Sequence, residues 1–218
     1  MQEPAGRFLI VGAGPSGATL ARFLAEQGLP SLVIEQRNHV AGNCHTQTDR
    51  ETGILVHHYG PHIFHTDDDQ VWSFVGNHAE FVPYRHQVLT TSGGKVYSLP
   101  INLLTINQFF GACFSPGEAE DYINALCAPT EYPRNFEEQA LSTIGRQLYE
   151  TFFRGYTRKQ WGMDPTLLPA SLLKRLPLRF NYDNNYFHHR RQAMPRHGYT
   201  AMIEKMLKHH SRAVHAVG

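Results

Sequence analysis

Three clusters of residues in this chain have types and spacings that could do chemistry. The first is Gly12-Ala13-Gly14-Pro15-Ser16-Gly17, with Glu35 standing 18 residues after Gly17. In such a run the first glycine permits a tight turn off a strand, and the second lets backbone approach a pyrophosphate. The third lets the following helix pack closely on that strand. The helix N-terminus then turns N–H groups and partial positive charge toward the anion. A carboxylate about 20 residues further on is placed to grip ribose hydroxyls. The same spacing serves NAD and FAD. Arg37 could meet a 2′-phosphate, but Glu35 would repel one. Val40-Ala41-Gly42-Asn43 can return backbone and an amide side chain to the pyrophosphate, and it reads equally as an ordinary Gly-Asn turn.

The second cluster is Tyr59-Gly60-Pro61-His62-Ile63-Phe64-His65-Thr66. His62 and His65 have HxxH spacing, yet Gly60-Pro61 breaks the helix that would aim both at one ion, so no metal site is expected. The Gly-Pro step can shape the backbone so that His62 faces a flat ring. The plain alternative is a buried histidine bonded to backbone. The third cluster, residues 152–162, alternates aromatics with cations and glycines. That mixture suits a flat anionic ligand such as a nucleotide, whose base stacks while guanidinium takes phosphate. It also suits a helix end with core aromatics and solvated cations. Residues 173–177 and 180–187 repeat the aromatic-plus-polar theme.

The elements that must position these clusters are legible in part. Phe8–Val11 is an apolar run expected of a buried parallel strand. Ala18 to Gln27 sets Leu20, Ala21, Leu24 and Ala25 on one helical face, Gly28 stops it, and Leu32–Ile34 is a second strand ending at Glu35. Asp67 or Asp68 caps a helix carrying Val71, Trp72, Phe74 and Val75. Val88–Thr91 and Val96–Leu99 flank Ser92-Gly93-Gly94-Lys95 as a hairpin. Ser115-Pro116-Gly117-Glu118 is a capping box opening a helix to Ala128, and Asn135 with Glu138 starts one long helix to Arg154. Gly198–Leu207 reads as a helix buried through Met202, Ile203, Met206 and Leu207, and Ala213–Val217 as a strand returning to the sheet. The expected class is α/β. A Rossmann-like nucleotide-binding domain begins in 1–66, a mostly helical substrate-binding domain spans 67–195, and 196–218 returns to the first.

Composition bounds the function. Of 218 residues, 41% are hydrophobic and 18% charged, which is too apolar for disorder. A net charge of +1 recruits neither nucleic acid nor an acidic membrane surface. Fourteen histidines make the chain more cationic below about pH 6.5. Cys44, Cys113 and Cys127 form no CxxC and are read as reduced thiols of a reducing compartment. No apolar run approaches the roughly 20 residues that span a bilayer, and MQEPAGR lacks the apolar stretch of a signal peptide. A cytoplasmic protein without membrane insertion or nucleic-acid partner is expected.

Taken in order, GAGPSG with Glu35, the Ala-Gly-Asn step, GPHIFHT (60–66), SLPIN (98–102), FEEQA (136–140), GYTRKQWG (155–162), KRLP (174–177), RFNYDNNYF (179–187) and GYTAMIEKML (198–207) closely resemble UDP-galactopyranose mutase. GPHIFHT and GYTRKQWG are far more specific than the glycine motif. The resemblance implies an isomerase that interconverts UDP-galactopyranose and UDP-galactofuranose, a precursor of cell-surface polysaccharide. It needs reduced FAD, whose N5 attacks the sugar's anomeric carbon while UDP leaves.

By motif position the resemblance implies that Gly12, Gly14, Ser16, Gly17, Glu35, Gln36, Gly42 and Asn43 hold the adenosine and pyrophosphate of FAD. His62 and Ile63 would lie against the isoalloxazine. His86, Phe152, Tyr156, Thr157, Trp161, Arg175 and Tyr186 would form the substrate pocket. Arg175 would neutralise the diphosphate, Tyr186 would hydrogen-bond to it, and Arg175 and His62 would carry the catalytic roles. His86 stands where some relatives carry Asn. A homodimer is the expected assembly. The chain is expected to be the N-terminal portion of such an enzyme, with the later strands of the fold absent. Two alternatives remain at this level: a non-catalytic remnant, or another FAD-dependent oxidoreductase sharing the glycine motif.

Overall fold

The computed structural model describes residues 8–175, 178–208 and 215–216, with the backbone alone at 174, 175, 215 and 216. Phe8–Val11 forms β1, Pro15–Glu26 forms α1 and Ser31–Glu35 forms β2. β1 and β2 pair in parallel with Ile10 opposite Val33, as a strand–helix–strand crossover produces. Small residues let α1 approach the sheet, and Ala18 and Ala21 are completely buried. β3 (Thr46–Thr48) and β4 (Leu55–His57) make an antiparallel ribbon, followed by β5 (Phe64–Thr66), α2 (Asp69–Gly76) and β6 (Phe81–Pro83). The Asp68 carboxylate caps α2 by accepting from the Gln70 and Val71 amides.

β7 (Val88–Ser92) and β8 (Lys95–Leu99) form the expected hairpin. Its turn residues Gly93 and Gly94 both adopt positive φ, as a two-residue turn matched to strand twist requires. α3 (Leu103–Phe110) and α4 (Pro116–Leu126) follow, the latter opened by Ser115, whose amide and hydroxyl both donate to Glu118 at 2.8 and 2.7 Å.

The long helix expected over 135–154 is instead three pieces: α5 (Phe136–Thr143), α6 (Gly145–Leu148) and a π-helical stretch, Tyr149–Arg154. Helical backbone then continues beyond Arg154 as α7 (Gly155–Trp161). The break has a packing cause. Gly145 sits at φ +75°, and a Cβ there would lie 3.1 Å from the Leu126 carbonyl oxygen at the end of α4.

After the helices, β9 (Arg191–Pro195) pairs antiparallel with both β5 and β6. α8 (Gly198–Leu207) buries Met202, Ile203, Met206 and Leu207 beside Ile10 and Val33. β10 (His215–Ala216) pairs in parallel with β2, giving the strand order β1-β2-β10. The rest of the expected strand, residues 213, 214 and 217, lies outside the described residues.

Contacts divide the chain into two units, Met1–Arg85 with His189–Gly218, and His86–His188. The sequence reading set the inserted part at 67–195. The difference comes from β9, which stitches β5 and β6 into one sheet and so keeps both flanks with the first unit. Each unit has its own apolar core. Ile101, Ile106, Ile123 and Leu148 sit in the core of the inserted unit, and Ile10, Val33 and Ile203 in the other.

Candidate functional site

In the first unit β1 is followed at once by Gly12, whose φ of +102° turns the chain out of the sheet. A Cβ at Gly17 would lie 2.0 Å from the Gly12 carbonyl oxygen, so α1 rests directly on the turn. Gly14 is the N-cap of α1 and no side chain caps that end. The Gly42 turn comes back to the same place. A Cβ on Gly42 would stand 3.3 Å from the Gly14 Cα, and the Ala41 amide donates to the Ala13 carbonyl at 2.9 Å. The glycine spacing and the Gly-Asn step, read separately in the sequence, form one cradle of backbone, with Ser16 and Asn43 exposed at its rim.

Glu35 closes the turn from below. Its buried carboxylate accepts from the Ala13 amide at 2.8 Å and the Arg37 amide at 3.0 Å. Burial pushes its pKa up, but the amides of Arg37, Ala13 and Gln36 and the Arg37 charge together outweigh it. The carboxyl is held below the ordinary glutamate value. The Arg37 guanidinium donates to Asn43 Oδ1 at 2.9 Å and lies 4.8 Å over the Tyr59 ring. Its Nη1 is buried without a hydrogen-bond partner among the described residues, and the acid beside it would repel a 2′-phosphate. Gln36 is exposed.

His62 and Ile63 line a cavity of about 560 Å³ together with Pro15, Cys44, Tyr199 and Met202. The Tyr199 hydroxyl donates to the His62 carbonyl at 2.9 Å, while the His62 Nε2 is buried and has no hydrogen-bond partner among the described residues. A flat, mostly apolar ring with a polar edge fits this chemistry, and a diphosphate fits the side-chain-free glycine cradle. Among the described residues no group of His, Cys, Asp or Glu could hold a metal ion.

The inserted unit has its own cavity, of about 300 Å³, lined by His86, Val88, Thr90, Phe152, Tyr156 and Tyr186 among others. The π-helical stretch buries Phe152 and Phe153 together, and Tyr156 follows in α7 as a residue 63% exposed. Such π-bulges often mark functional sites in helices. The rings of His86 and Tyr186 meet edge-on at 5.4 Å, and the Tyr186 amide donates to the His86 carbonyl at 2.9 Å. Four of the seven residues expected at the substrate pocket therefore meet at one cavity. Thr157 is buried and Trp161 half-exposed, and neither lines it. Arg175 ends a short 3-10 turn, Ala170–Arg175, and its side chain lies outside the described residues. Sequence reasoning missed Val88, Thr90 and Ile101 as lining. The hairpin was legible, but its alternation did not say which face the cavity would take.

Two family models match the chain: NAD(P)-binding Rossmann-like domain over residues 10–77, and UDP-galactopyranose mutase over 151–216. A probable UDP-galactopyranose mutase of Klebsiella pneumoniae is 54% identical over 207 residues, covering 94% of this chain and 54% of the relative. The chain is a homologue of UDP-galactopyranose mutase. A dTDP-fucopyranose mutase of Escherichia coli is 51% identical over 204 residues, 93% of this chain and 54% of the relative. A crystal structure of reduced UDP-galactopyranose mutase superposes with a TM-score of 0.71 at 17% identity, over 93% of this chain and 46% of that one, a likeness of fold. The chain thus spans about half the length of the mutases it matches. Among the described residues no helix is long and apolar enough to cross a membrane.

Proposed function

We propose that this chain supplies the cofactor-binding and nucleotide-binding parts of a UDP-galactopyranose mutase, interconverting UDP-galactopyranose and UDP-galactofuranose with reduced FAD. The observation that carries this reading is the 54% identity to the Klebsiella relative across nearly the whole chain. The two cavities support it. Bound FAD in its reduced form would supply a nucleophile for the sugar's anomeric carbon. The chain's own part is binding and electrostatics. The Gly12–Gly17 turn, the open end of α1 and the Gly42 turn would hold the FAD diphosphate, with Glu35 accepting from the ribose hydroxyls and His62 and Ile63 bounding the ring. Tyr156 and Phe152 would stack and enclose the substrate's base, Tyr186 would donate to its diphosphate, and Arg175 would neutralise charge as UDP departs. Free Cys44, Cys113 and Cys127 suit the reducing cytoplasm, where we place the reaction. The working assembly is a homodimer.

The 51% identity to the dTDP-fucopyranose mutase favours a second reading, a mutase of dTDP-sugars. A pocket with Val88, Thr90 and Phe152 in its wall rejects a single extra methyl on the pyrimidine by only about 1–3 kcal/mol. Titration of the chain with UDP and with dTDP, followed by intrinsic fluorescence, separates the two. Turnover is measured as anaerobic, chromatographically resolved conversion of UDP-galactofuranose with dithionite-reduced FAD, beside the Klebsiella relative. Tyr156→Ala is expected to weaken nucleotide binding about three- to tenfold through the lost stacking face. A chain that takes up FAD yet binds neither nucleotide would overturn the proposal.

A further inference from the structure

Arg179 has no role in the reading above. Its side chain is only 5% exposed, and its amide donates to the Ile101 carbonyl at 2.9 Å. The guanidinium is wrapped by the segment that follows it. Nη1 donates to the carbonyls of Asp183 at 3.2 Å and Asn185 at 2.5 Å, and to the Asp183 carboxylate at 3.3 Å. Nη2 reaches the Tyr186 carbonyl at 3.5 Å and His188 Nε2 at 2.9 Å. Its Nε is buried without a partner among the described residues. A buried cation is costly unless it is paired and hydrogen-bonded. Here a single carboxylate pairs it, and main-chain carbonyls of one short loop supply most of the remaining bonds. What satisfies the charge is therefore the shape of residues 183–188. That loop carries Tyr186, whose ring lines the 300 Å³ cavity and whose amide is bonded to the His86 carbonyl.

We propose that Arg179 is a positioning residue for nucleotide binding. By gathering the carbonyls of Asp183, Asn185 and Tyr186 around one planar fork, it fixes the loop so that Tyr186 and His86 together form a wall of the cavity. The inference rests on reading that cavity as the nucleotide site. Lysine is no substitute, because a compact ammonium on a flexible stem lacks the flat, preset donor geometry.

The test uses the full 218-residue chain, comparing wild type with Arg179→Lys by amide hydrogen exchange and by UDP titration at a temperature where both are folded. In the variant the Tyr186 amide is expected to exchange about tenfold faster or more, while the Ile106 and Ile123 amides keep wild-type rates. UDP affinity is expected to fall about tenfold. A merely structural role would lower the melting temperature and leave the affinity of the folded protein alone. If the lysine variant does not fold, Asp183→Asn gives the same two readouts on a side chain that is 38% exposed, with smaller changes in the same direction. Unchanged exchange at Tyr186 with unchanged affinity overturns the proposal. A wild type that binds no UDP sinks the nucleotide reading, and this role with it, while the exchange rates still decide whether Arg179 fixes the loop.

Discussion

A Cβ at position 17 would lie 2.0 Å from the Gly12 carbonyl oxygen and 3.3 Å from the Ile10 side chain, closer than any carbon can approach that oxygen. Gly17→Ala must push α1 off its strand, and overpacking of this kind costs about 1–3 kcal/mol. The expected result is a lower urea midpoint at unchanged slope, together with weaker retention of the cofactor proposed above. Glu35 makes a different demand. Its folded-state pKa is depressed, so the stability it contributes is present above the ordinary carboxylate value and lost as pH falls below about 4.3. Glu35→Gln should flatten the acid limb of a plot of urea midpoint against pH, and an unaltered acid limb would show that the carboxylate contributes nothing there. Both residues were legible in the sequence, because a glycine turn and an acid at fixed spacing are local features. Arg179 was not. An isolated arginine in an aromatic stretch has no local pattern, and its role emerges only when residues 183–188 fold back around it.

The helix caps were legible for the same reason as the glycine turn, since each is complete within four residues. Asn135 and Ser115 sit where the sequence puts them, and of the two candidates Asp67 and Asp68 it is Asp68 that caps α2. Asn102 caps α3, accepting from the Thr105 amide at 3.0 Å. It also joins a buried polar group, with the Ser98 and Thr105 hydroxyls 3.4 and 3.3 Å from its oxygen. The two hydroxyls also meet each other at 3.0 Å, and the Thr105 hydroxyl donates to the Ser98 carbonyl at 2.7 Å, so Asn102→Ala costs chiefly the cap, about 1 kcal/mol. Thermal unfolding of the variant measures it. A loss well above that would mean that the hydroxyls depend on Asn102 as well. The elements that escaped the sequence depend on distant partners. β5, β6 and β9 are three to five residues long and exist only through one another, so no hydrophobic period announces them. Gly145 reads as a tolerated glycine inside a helix, yet its left-handed φ answers to Leu126, which is 19 positions earlier in the chain.

At the scale of the molecule, two cores without shared members predict two unfolding events. The chain has two tryptophans, and one falls in each unit, Trp72 in the first and Trp161 in the second. Trp161→Phe and Trp72→Phe chains therefore report the units separately, and their urea transitions should differ in midpoint. Coincident transitions would mean one cooperative fold. The candidate site follows the same division. The glycine cradle was legible from spacing, and the aromatic residues from family-like motifs, whereas the strand residues that complete the second cavity were not. One last feature of the topology reaches beyond binding. The Tyr84 amide donates to the Gln192 carbonyl at 3.0 Å, extending the β6–β9 pairing, and the Tyr186 amide donates to the His86 carbonyl at 2.9 Å. Residues 86–188 are in effect the loop of a β6–β9 hairpin, and each side of the junction fastens its own chain ends. Recombination at these two points would exchange the whole cassette and leave the register of the host sheet untouched.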